Sequence, residues 1–210
     1  MTASLILLLA LAPATLPGDP LDTALARYHA VASYRVTIHS RSDGSAEIFR
    51  YFFKRPGFVR MEFIQPHKGA VLVYNPVKRE AKLKPFGFIN PLVLTLNPDN
   101  PLITSARGHR VDASDIGALL ETARMLRAKG KSRTMGAVAE GGRKRILVAI
   151  EGNDSEVVAG SVHRCLLWLD ARTFLPVRAI TYEENGALVE DVRLDGMEVN
   201  IPLPDGLFEP

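Results

Sequence analysis

The residues in this chain that could do chemistry are few, and their spacing does not suit them to it. The five histidines, His29, His39, His67, His109 and His163, include no pair at the i, i+4 spacing by which a helix offers two ligands to one metal. Cys165 is the sole cysteine, so it has no disulfide partner and no second thiolate, and it reads as a small buried apolar residue inside a strand. No G-x-S-x-G elbow, phosphate-cradling glycine loop or dinucleotide fingerprint occurs. One polar cluster stands out: His109 beside Arg107 and Arg110, just ahead of Asp112. At a loop-to-helix junction that group suits capping better than catalysis. The chain reads as a non-enzyme with neither metal nor cofactor.

The charge balance excludes another class. The 210 residues carry a net charge of +3, and 47% are hydrophobic, enough for one domain with a sizeable core. Nucleic-acid binders gather their basic residues into a stripe or patch. Here the basic residues are scattered, apart from local groups at Lys129, Lys131 and Arg133 and at Arg143, Lys144 and Arg145. Those groups read as solvated strand ends, with contact to anionic lipid headgroups as the alternative. Leu5 to Leu11 is a short apolar run followed by Ala12-Pro13-Ala14, the pattern of a secretory signal over residues 1–14, although Lys and Arg are missing ahead of it. The run is far shorter than the roughly 20 residues a spanning helix needs. No cysteine follows it to carry a lipid anchor. The expectation is a soluble, exported, periplasmic single domain over residues 15–210.

The apolar pattern dictates mostly strands. Leu21, Leu25, Tyr28 and Ala32 fall at helical spacing behind Asp19 as N-cap, and a second helix opened by Val111-Asp112-Ala113-Ser114-Asp115 and running to about Ala128 repeats the pattern with Ile116, Leu119, Leu120, Ala123 and Leu126, with Asp112 or Ser114 as cap and Gly130 as terminator. Between and after these helices come ten or so alternating segments. Lys54-Arg55-Pro56, Gln65-Pro66 and Asn75-Pro76 punctuate the early ones, and Asn185-Gly186 marks the last hairpin. So many antiparallel strands must curl. The fold expected is mainly β with α, a curled antiparallel sheet forming a half-open β-barrel. Residues 85–105 interrupt the rhythm with four prolines among apolar residues. They read as a lid carrying Phe88, Leu92, Leu94 and Leu96, with a short helical turn around Leu92 to Leu96.

Alternation along the strands assigns an apolar inner face to Val36, Ile38, Phe49, Tyr51, Phe53, Val59, Met61, Phe63, Val71 and Val73, with Trp168 later in the chain. The pattern leaves two outcomes open: a face packed solid by the helices and lid, or an apolar binding cleft.

Lys54-Arg55-Pro56, the strand Phe58 to Ile64, Gln65-Pro66, Tyr74-Asn75-Pro76, and later Trp168-Leu169-Asp170 with Thr173-Phe174-Leu175-Pro176-Val177 resemble the periplasmic carriers of outer-membrane lipoproteins, the LolA-like family. That resemblance implies a hollow that takes the acyl chains of a lipoprotein or another lipid. It also implies membrane-bound donor and acceptor proteins, a monomeric carrier, and Arg55 as the latch that holds the lid. A sensor or scaffold module that docks a protein shares the same architecture.

Overall fold

The computed structural model of the protein describes residues 18–85, 92–105, 109–140 and 142–210. Eleven strands form one antiparallel sheet in the order β6-β5-β4-β3-β2-β1-β11-β10-β9-β8-β7. β6 and β7 stand at opposite ends of this order, so the sheet curls without closing and has the half-open-barrel architecture. The early half is the meander β1 (Ser33–Ser42), β2 (Ser45–Lys54), β3 (Phe58–Gln65), β4 (Val71–Asn75), β5 (Glu80–Lys84) and β6 (Leu94–Leu96). The late half runs β7 (Gly130–Glu140), β8 (Arg143–Gly152), β9 (Arg164–Asp170), β10 (Pro176–Tyr182) and β11 (Leu188–Val199), and β11 returns to pair with β1.

Proline writes the early turns. Arg55-Pro56 and Gln65-Pro66, both cis, sit where β2 gives way to β3 and where β3 ends. At the last hairpin Gly186 takes the left-handed φ of 85° that the Asn185-Gly186 turn requires.

Helix α1 (Pro20–His29) starts as the sequence dictates: an Asp19 carboxylate oxygen accepts the Leu21 and Asp22 amides at 2.8 and 3.2 Å. It ends earlier than its apolar spacing suggests, because Ala30 caps it and the chain turns into β1. In helix α2 (Ile116–Ala128) the cap is Asp115, whose side chain accepts from Ala118 N at 2.8 Å; neither Asp112 nor Ser114 fills that place. Gly130 opens β7 instead of closing α2. A Cβ there would lie 2.0 Å from the Glu151 carbonyl oxygen, so the close strand approach demands glycine.

The two helices pack on each other inside the curl, α2 against β7 and β8 and α1 against β8. Their buried Leu21, Tyr28, Ile116, Leu120 and Leu126 join the inner face of the sheet in one continuous core. The expected helical turn around Leu92 to Leu96 is a strand: Leu94 to Leu96 pair with Ala81 to Leu83 and extend the sheet. Alternating leucines next to an open sheet edge gain more from ladder hydrogen bonds than from an isolated turn.

Candidate functional site: an apolar floor under two helices

Cross-strand register sorts the inner face of the early sheet into rows. Tyr34, Phe53, Val59, Tyr74, Ala81 and Leu96 form the first. Val36, Tyr51, Met61, Leu72, Leu83 and Leu94 form the second, and Ile38, Phe49 and Phe63 the third. The aromatic members touch: Tyr34 stacks on Phe53 at 5.1 Å and on Tyr51 at 5.8 Å, and Phe49 meets Phe63 at 5.5 Å. Ile146, Val148, Ile150, Cys165, Leu167 and Leu169 continue the floor on β8 and β9.

Burial is graded along this floor. Tyr34, Val36, Tyr51, Phe53 and Val59 are at most 2% exposed, and Met61 is buried as well. Ile38, Phe49 and Phe63 are half-buried at the rim. The floor is therefore closed over the β1–β4 members of the first two rows and half-open at the third row and at Leu83, Leu94 and Leu96 on β5 and β6.

Two hydroxyls pin the covering segment to the floor. The Tyr34 hydroxyl accepts the Ile116 amide at 3.1 Å, one of the orphan donors at the start of α2. Ser114 Oγ donates to Val111 O at 2.8 Å, which leaves it to accept from the Tyr51 hydroxyl at 3.0 Å. Burial, then the nearby Tyr51, pushes the Tyr34 phenol far above its ordinary range, so it stays a neutral hydrogen-bonding group. Tyr28 on α1 is raised too, by burial first and then by the charge and hydrogen bond of Asp115. Tyr28 thus belongs to the same polar seam between helices and sheet. Tyr28 and Tyr34, missed as seam residues in the sequence, carried one signal: hydroxyl-bearing aromatics where Phe would have satisfied the apolar pattern.

Three of the expected floor residues lie elsewhere. Val73 packs with Phe52 and Phe208 in a separate cluster, and Val71 borders it. This is the outer face, since Leu72 and Tyr74, one residue out of step, are the core members on β4. Trp168 likewise points outward, its ring under the Arg178 guanidinium at 5.2 Å, while Leu167 and Leu169 point in. Inside a fully apolar run the two faces of a strand cannot be told apart by type.

The lid expectation changes as well. Phe88 lies outside the described residues. Leu92 is exposed, and Leu94 and Leu96 are half-buried sheet members. Arg55 does latch carbonyls with its fork, but they belong to the end of α1 and the turn after it: Nε donates to Val31 O at 2.8 Å and Nη2 to Tyr28 O at 3.1 Å. Its guanidinium lies 5.3 Å from the Tyr28 ring centre. Arg55 therefore ties β2 to the end of α1 and not to residues 92–105.

The polar cluster is a junction. Arg110 pairs with Asp112, and the His109 amide donates to Ser105 Oγ at 3.0 Å. Arg107 lies outside the described residues. Cys165 is buried, and burial pushes its thiol up to about 12, the opposite of activation. Among the described residues no group of three or more His, Cys, Asp or Glu is placed to hold a metal ion. An open cleft at the β10–β11 turn, lined by Val157, Gly160, Ser161, Glu183 and Glu184, lies apart from the three rows.

A curled antiparallel sheet with two helices in its hollow is the LolA-like fold. MucB of Pseudomonas aeruginosa, solved in complex with MucA, matches with TM-score 0.56 and 15% identity over 91% of this chain and 60% of that one. Lipoprotein LppX of Mycobacterium tuberculosis matches with TM-score 0.55 and 12% identity over 88% of this chain and 95% of that one. An uncharacterized conserved protein from Thermus thermophilus matches with TM-score 0.55 and 11% identity over 90% of each chain. No family model and no curated protein matches the sequence. At these identities the likeness establishes the fold alone.

Proposed function

We propose that the protein is an exported carrier that holds the acyl chains of a lipoprotein or another lipid in its hollow and hands them between membrane-bound partners. Residues 1–14 are its removable export signal and residues 15–210 its single domain. The observation that carries this reading is the graded floor: three rows of aromatic and aliphatic side chains, buried on β1 to β4 in the first two and left half-open at Ile38, Phe49 and Phe63. An acyl chain would enter along the third row. It would gain about 0.8 kcal/mol per methylene buried, and would advance under α2 as the Tyr34 and Tyr51 contacts give way. No polar recognition of the chain is needed, and the chemistry is binding without catalysis.

The decisive measurement is organic extraction of the natively exported protein followed by lipid mass spectrometry, alongside titration with a fluorescent fatty acid. Co-purifying lipid and saturable probe binding are expected. Phe63→Asp, at the open row, should weaken the probe about ten-fold, equivalent to about 1.4 kcal/mol. A protein that carries no lipid and ignores the probe is not a carrier.

The covered state of the first two rows favours a second reading, a scaffold that docks a protein partner. The MucB neighbour was solved with a protein, MucA. A stoichiometric protein recovered from envelope extracts without lipid would select that reading.

A further inference from the structure

The outer face of the sheet holds a second site. Phe52 on β2 and Val73 on β4 are buried there beneath the last residues of the chain, with Phe208 set against them and Phe58 5.7 Å from the Phe208 ring centre. Leu203 and Leu207 complete the cover. Three cations rim this groove and grip the segment above it. Lys54 Nζ donates to Leu203 O at 3.1 Å and to Asp205 at 2.6 Å. Arg60 Nη1 donates to the carbonyls of Leu207 and Glu209 at 3.0 and 2.8 Å, and Lys82 reaches the Glu209 carboxylate at 3.3 Å.

The way this segment is held differs from the rest of the fold. Its root is fixed: Asn200, with φ of 55°, donates its amide to Ser33 O and accepts the Ala32 amide, and Ser33 Oγ donates to Ile201 O. Beyond Ile201, among the described residues, main-chain groups bond within the segment's own 3-10 turn (Asp205–Phe208) or to the Lys54 and Arg60 side chains, never to the ladder of a strand. Pro202 and Pro204 lack amide donors that could pair with a strand. The segment can leave without breaking one sheet hydrogen bond.

We propose that this outer groove is a docking site for a short acidic peptide of another protein, anchored by an aromatic residue, and that residues 203–209 are its built-in occupant. The groove supplies what such a peptide needs. An apolar seat takes the ring, and Arg60 reads main-chain carbonyls whatever the peptide's side chains. Two lysines meet carboxylates on either side of the anchor. Because the built-in segment is tethered, it competes at an effective concentration on the order of millimolar, and a partner peptide enters when that tether's grip is loosened. The site is independent of the hollow on the opposite face, so this proposal stands apart from the carrier reading.

The test uses the full chain and a fluorescein-labelled peptide of sequence IPLPDGLFEP, followed by anisotropy. Phe208→Ala loosens the built-in segment, and Asp205→Lys with Glu209→Lys loosens it by charge while keeping the apolar seat covered. Either variant is expected to bind the peptide at least ten-fold more tightly than the wild type does. Replacing the peptide's Phe by Ala, adding Arg60→Gln to the loosened chain, or raising the salt should each weaken capture. The proposal is overturned if both loosened variants, folded by circular dichroism, fail to bind at about 1 mM peptide, or if binding ignores the peptide's Phe. It is equally overturned if the variants instead form tail-exchanged dimers, which would assign the groove to a second copy of the chain.

Discussion

Tyr34 shows at the scale of one residue how a polar atom is kept inside an apolar floor: its ring does the work of a phenylalanine while its oxygen satisfies the first amide of α2. Tyr34→Phe keeps the ring and strands that buried donor, so urea unfolding should show a loss of about 1–3 kcal/mol. Asp191 gives the acid response. Its side chain is 7% exposed, and two oxygens accept from Arg178 at 2.9 and 2.8 Å. That hydrogen bonding, foremost among the causes, holds the carboxyl below its ordinary range. The folded-state pKa is thus depressed beneath an unfolded value of about 3.9, so the stability from this pair is complete above that value. It fades as pH falls through the folded value, in a window below about pH 4. Arg178→Leu leaves the carboxylate buried without its main partner, which should cost about 3–5 kcal/mol and move the acid-unfolding midpoint upward.

At the scale of elements, the contact between α1 and α2 reverses an ordinary rule. Glycine within a helix is about 1 kcal/mol worse than alanine, so Gly117→Ala would stabilise an isolated α2. Here a Cβ on Gly117 would lie 2.4 Å from the Tyr28 ring. Overpacking of that kind typically costs about 1–3 kcal/mol. Thermal unfolding of Gly117→Ala should therefore show a lower Tm, by roughly 2–4 °C per kcal/mol for a chain of this size. An unchanged or raised Tm would mean that the helices do not sit ring-on-glycine. Arg55→Leu tests the neighbouring junction. It removes two charged hydrogen bonds to the end of α1 and should lower stability by about 1–3 kcal/mol without altering hydrogen exchange in residues 92–105.

On the scale of the whole molecule, the sheet has two working faces with different covers. The inner face lies beneath α1 and α2, which are themselves part of the core. The outer face beneath the C-terminal segment is a small separate cluster. Occupation of the inner face must move helices, whereas occupation of the outer face must move only the segment. Saturating fatty acid should accordingly raise hydrogen exchange in residues 114–128 and leave residues 203–209 unchanged. Loss of protection in both regions together would mean that the two faces open as one unit.

The sequence by itself determined the export-like N-terminal pattern, the proline-punctuated meander, the two helices with the Asp19 cap, and most of the apolar floor, because these are local patterns of two-residue and 3.6-residue period. Tertiary structure decided what no period encodes. It turned Val71, Val73 and Trp168 outward, since an unbroken apolar run has no distinguishable faces until its neighbours fix the register. It drew Leu94 and Leu96 into a strand, since an open sheet edge offers hydrogen bonds that a lone turn lacks. It gave Arg55 to α1, because a guanidinium bonds whichever carbonyls the fold brings within reach. It also set the start of α2 against the floor and the chain's last residues against its back, through contacts such as Tyr51–Ser114, Tyr34–Ile116 and Arg60–Leu207 that span 63, 82 and 147 residues and that local pattern cannot carry.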